Sequence, residues 1–134
     1  MTAAPAKPPV VAILNSNDDT VEMLRMMLES EGMLTVSAHV TDIRRGVFDF
    51  GGFLAEHNPQ VIIYDVPPPY DRSWLMLQHL RGVPAAAKKQ WVITSTNPER
   101  LKEITQPEEP VYEIIGKPYD LQLIVDAVKK GMDG

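Results

Sequence analysis

Five short apolar runs, at residues 10–14, 34–38, 61–64, 91–95 and 111–116, are each followed by a segment whose apolar residues return every three or four positions. Continuous runs of that length read as strands buried on both faces, and the segments between them read as helices covering those faces. A chain that alternates strand and helix five times is expected to form a parallel sheet with helical crossovers. Val21, Leu24 and Leu28 share one face of a first helix over residues 20–31, which Gly32 stops. Val40, Ile43, Val47, Phe50 and Leu54 keep helical spacing between the second and third runs. That stretch is therefore expected to be helical, although Gly51 and Gly52 weaken it by roughly 1 kcal/mol each. Trp74 and Leu77 face inward from a helix over 71–81, and Pro98 opens a short helix near its first turn, where a missing N–H costs nothing. Leu121, Ile124, Val125 and Val128 form the stripe of the last helix.

Three polar residues end apolar runs. Asp65 closes the third, just before the stiff loop of Val66, Pro67, Pro68 and Pro69, while Thr96 follows the fourth and Lys117 the fifth. Ligands of open α/β sheets gather at the carboxyl ends of the strands. If these runs are neighbours, a carboxylate, a hydroxyl and an ammonium converge at one edge of the sheet. At 134 residues with 44% hydrophobic composition, the chain is the size of one domain with one core. Thirteen Lys and Arg against 18 Asp and Glu leave a formal charge of -5, with no basic cluster longer than the pairs at 44–45, 88–89 and 129–130. Nucleic acid is disfavoured as a partner on that ground. With no cysteine, disulfides, thiol nucleophiles and thiolate metal sites are excluded, and a reducing compartment, the cytoplasm, is the expected location. Residues 1–9 are rich in Ala and Pro and lack an apolar core, so they read as a disordered lead-in to a domain over 10–134, neither signal peptide nor membrane span.

From residue 10 to 132 the chain resembles the receiver domain of bacterial two-component response regulators. Asp65 stands where that family has its phospho-accepting aspartate, and Pro69 matches the proline four residues later. Thr96 matches the switch Thr or Ser after the fourth strand, and Lys117 with Pro118 matches the Lys-Pro after the fifth, whose bond is often cis in the family. The tail of the first helix, Leu28-Glu29-Ser30-Glu31-Gly32, also looks like a receiver. The resemblance implies a flavodoxin-like, doubly wound five-stranded parallel sheet of order 2-1-3-4-5. It also implies Asp65 as a carboxylate nucleophile, with Lys117 and Thr96 steadying the phosphoryl oxygens.

Departures from the family pattern are as informative. Receivers end the first strand with two acidic residues that hold Mg²⁺ together with the acceptor aspartate; counted back from Gly32 without a gap, those positions are Asn15 and Ser16. Both offer oxygen but no charge, so the implied metal set of Asn15, Ser16, Asp65 and the Pro67 carbonyl is expected to bind Mg²⁺ weakly or not at all. Asp18 and Asp19 could be the acidic pair shifted in register, but Asp19 with Glu22 reads better as a capping box at a helix start. Ile114 replaces the family's switch aromatic, leaving that switch absent or moved to Tyr112, and Asn97 replaces a small residue and is expected to narrow the path to Asp65. The stretch between Ser16 and Asp65 is about five residues longer than a receiver's, and either an enlarged second helix or a loop accommodates it.

Two functions follow. The first is a signalling receiver that accepts a phosphoryl group on Asp65 from a histidine kinase or small phosphodonor and relays it by protein contacts, with no enzymatic turnover of its own. The alternative is a pseudo-receiver, an interaction module independent of Mg²⁺ and phosphate. A flavodoxin-like cofactor binder ranks below both, because the turn after the first run has no glycine to let the backbone approach a phosphate. Both leading readings need a downstream protein, permit a homodimer and use no membrane. Arg100, Tyr112, Tyr119 and Lys129 mark the expected docking face. His39, His57 and His79 lack ligand spacing.

Overall fold

The computed structural model of the chain describes residues 8–114 and 118–133, without the side chains of Pro118, Tyr119 and Asp133. β1 (Val10–Leu14), β2 (Leu34–Ala38), β3 (Val61–Asp65), β4 (Gln90–Ser95) and β5 (Val111–Glu113) pair in parallel in the order β2-β1-β3-β4-β5. Between them run α1 (Asp18–Ser30), α2 (Val40–Arg44), α3 (Phe50–His57), α4 (Tyr70–Arg81), a 3-10 turn at Pro84–Ala86, and α5 (Pro98–Thr105); α6 (Pro118–Asp133) ends the fold. The expected five-stranded doubly wound sheet is what forms.

Alternation along the strands sorts the core into two layers, because successive strand residues face opposite sides. Ala12, Leu14, Ile62, Tyr64 and Ile93 join Leu54, Leu77, Leu80 and Leu101 under α3, α4 and α5. Val11, Ile13, Val61, Ile63 and Val92 meet Leu24 and Leu28 of α1 and Leu121, Ile124, Val125 and Val128 of α6. Sheet residues reach into both layers because β1, β3 and β4 lie between neighbouring strands and between helices.

Three local expectations are corrected. The stretch from 40 to 54 is not one helix: α2 stops at Arg44, Gly46 takes φ +73°, and Asp49 caps a separate α3 by accepting from the Gly52 amide at 3.0 Å. A left-handed glycine and a good N-cap outweigh the helical spacing, and Val47, counted in the stripe, is 74% exposed. At α1 the cap is Asn17, whose Oδ1 accepts from the Thr20 amide at 3.1 Å, while Glu22 turns to Arg25. The Asp19 capping box does not form. Finally, β5 is shorter than its apolar run, with Ile114 donating to the Ser95 carbonyl just past its end. The expected lead-in falls mostly on residues 1–7, and those lie outside the described residues.

Candidate functional site

Asp65 occupies the last position of β3, in register with Thr94 of β4. Residues paired in a parallel ladder point to the same face, so the Thr94 hydroxyl donates to Asp65 Oδ1 at 3.1 Å. Both side chains are buried, Thr94 fully and Asp65 to within 9%. Burial pushes the Asp65 carboxyl up from 3.8 to about 6, with the Thr94 hydrogen bond pulling the other way. At neutral pH the group is still largely ionised.

The carboxylate opens onto a cleft of about 450 Å³ at the carboxyl edge of the sheet, lined by Asn15, Ser16, Asn17, Thr20, Asp65, Thr96 and Ile114. The structure therefore brings four expected residues, Asn15, Ser16, Asp65 and Thr96, to one place. Pro67 is not among the lining residues, and Lys117 lies outside the described residues. Thr96 is exposed at the rim, and the hydroxyl on Asp65 belongs to Thr94. Thr94 was missed because it reads as an ordinary β-former inside an apolar run; its two-residue offset from Thr96 on the same face was the available signal. Asn97 does not narrow the cleft. Its Oδ1 accepts from the Arg100 amide as the N-cap of α5, and its own amide donates to Ser95 Oγ.

The two residues in the place of the acidic pair are already engaged. Asn15 is buried and its Oδ1 accepts from the Asn17 amide at 2.7 Å. Ser16 Oγ accepts from the Thr41 amide at 3.2 Å, near the start of α2, where the N-cap residue His39 supplies no side-chain bond. Asp18 reaches the same turn through His39 Nε2 at 2.8 Å and does not line the cleft. The β1–α1 loop is thus bound to the start of α2 by residue types that suit capping. Mg²⁺ requires near-octahedral oxygen ligands and carboxylate charge to offset its dehydration. Asp65 is the one carboxylate lining the cleft among the described residues, and no group of three or more His, Cys, Asp or Glu able to hold a metal occurs among them. Asn15, Ser16 and Thr96 thus offer the cleft neutral oxygens, and Asp65 is its one charged oxygen donor among the described residues. His57 meets Phe53 edge to face, with 4.9 Å between ring centres.

Of the residues expected to mark a docking face, Tyr112 is half-buried on β5, and the others are placed as follows. Lys129 reaches Glu31 at the end of α1 at 3.3 Å, Arg100 pairs with Glu103 on its own helix, and the Tyr119 side chain lies outside the described residues. No described helix is long and apolar enough to cross a membrane.

No protein-family model and no curated protein matches the chain in sequence. Solved structures do match it in shape. A sensor protein from Polaromonas sp. JS666 superposes with a TM-score of 0.70 at 18% identity, over 93% of this chain and 96% of that one. A response regulator from Thermotoga maritima gives 0.66 at 16% identity, over 96% and 100%. A CheY-like response regulator receiver domain from Methylobacillus flagellatus gives 0.62 at 15% identity, over 91% and 99%. The sheet order, the paired helical layers and the carboxylate at the end of β3 are thus carried on the fold of a CheY-like response regulator receiver domain.

Proposed function

We propose that this chain is a receiver-fold interaction module of signal transduction that works through protein contacts without Mg²⁺. The receiver fold supports the placement in signalling. One observation carries the rest: the side-chain oxygens of Asn15 and Ser16 accept from backbone amides, leaving Asp65 as the one carboxylate of the cleft among the described residues. In this reading Asp65 is a buried polar group that orders the β3–β4 edge through Thr94, and a downstream protein reads the surface.

The phospho-acceptor reading keeps one favourable observation, the shared open cleft of Asp65 and Thr96. There an Asp65 oxygen would bond to phosphorus as the bond from phosphorus to the donor breaks, the donor's histidine nitrogen or leaving oxygen taking the electron pair. Lys117 would have to offset the charge. A Mg²⁺ titration of the wild type and of the Asn15→Asp/Ser16→Asp double variant, read by amide spectra and followed by beryllofluoride, separates the two. The expected result is saturable Mg²⁺ binding in the double variant alone, and no beryllofluoride response at Asp65 in the wild type. Wild-type binding as tight as the variant's would overturn the metal-free reading.

A further inference from the structure

The stretch joining α2 to α3 builds a groove that the Asp65 cleft does not use, and we propose that it docks a partner protein through an acidic segment bearing an apolar anchor. Where α2 ends, Gly46 at φ +73° turns the chain and Asp49 restarts it as α3, so the intervening loop stands away from α4. A groove of about 450 Å³ remains between loop and helix. Its apolar lining includes Phe48, Phe50, Met76 and Leu80, and Arg44, Arg45 and His79 stand along it. The two arginines also line a neighbouring hollow of about 330 Å³ with Thr41. The two residues therefore line both concavities.

Charge decides the occupant. Arg44 and Arg45 are exposed, and neither is in an ion pair among the described residues. Asp49, the carboxylate within the groove, is committed to the Gly52 amide, and Asp42 belongs to the first turn of α2. On a chain of net charge -5 this is a local reversal of sign beside apolar surface. Arginine forks match carboxylates in two-pronged geometry, and Arg, Met and aromatic residues are enriched where proteins meet. Val47, 74% exposed on the same loop, extends the apolar surface outward. A nucleic acid would need more cations than this pair offers. A small ligand would need fuller enclosure than an open groove gives.

The proposal rests on the interaction-module reading only in that the ligand is a protein. A random-peptide library is selected on the wild-type chain and depleted on the Arg44→Gln/Arg45→Gln double variant, whose changes are confined to exposed side chains and whose fold is checked by its amide spectrum. The expected winners carry Asp or Glu beside Phe or Leu. A synthetic winner should bind the wild type about tenfold tighter than the double variant, two exposed ion pairs being lost, and should shift the amides of Phe48, Phe50 and Met76. An empty selection, winners without acidic residues, equal binding to both chains, shifts at the Asp65 cleft, or full displacement of the peptide by an equimolar oligonucleotide would each overturn the proposal. Tight Mg²⁺ binding by the wild type would remove the metal-free reading and leave this result standing. Failure at the groove with no Mg²⁺ bound would remove only the groove.

Discussion

At Asp65 the competing terms are desolvation, which favours the neutral acid, and the Thr94 hydrogen bond, which favours the carboxylate. Desolvation is the larger. A carboxyl whose pKa is higher folded than unfolded contributes its full stability below the unfolded value and loses it as pH rises through the folded one, here between 3.8 and about 6. Asp65→Asn keeps an oxygen for the Thr94 hydroxyl and carries no charge. Urea unfolding should therefore show the variant more stable than wild type at pH 7, by up to about 3 kcal/mol, and near parity at pH 4. Equal differences at both pH values would mean that a cation already offsets the burial, the role the resemblance gives Lys117. Asp65 itself was legible as the polar end of an apolar run; Thr94 was not, because its role depends on which residue lies across the ladder.

Among the elements, helix stripes were readable and helix ends less so. Apolar spacing is a property of the helix interior, whereas a cap depends on which side chain turns back onto an amide. Asn17 and Asp19 both suit the start of α1, and only the observed bond from the Thr20 amide decides between them. Thermal or urea unfolding should accordingly show Asn17→Ala costing about 1 kcal/mol and Asp19→Ala less than half of that. The reverse order would reinstate the capping box. The break between α2 and α3 has the same origin. Spacing of 40, 43, 47, 50 and 54 suits one helix, yet Gly46 and Asp49 divide it, and Val47 turns to solvent.

For the whole molecule, two apolar layers flank one sheet, and their energetics follow burial rather than residue type. Leu123 and Ile124 are adjacent on α6, but Leu123 is 52% exposed and Ile124 is fully buried in the layer shared with α1. Truncating Ile124 to Ala should cost about 2–5 kcal/mol, a lost transfer term plus a cavity, while Leu123→Ala should stay within about 0.5 kcal/mol. Similar losses at both would mean that a partner or second copy covers Leu123. The sequence alone determined the parallel sheet, its five strands and the carboxylate at the end of the third, since alternation, buried runs and crossover handedness are local or nearly universal rules. Tertiary structure decided what Ser16 does, which hydroxyl meets Asp65, and that the stretch joining α2 to α3 opens a groove against α4. Each of those depends on contacts between residues far apart in the chain, and composition and spacing do not encode such contacts.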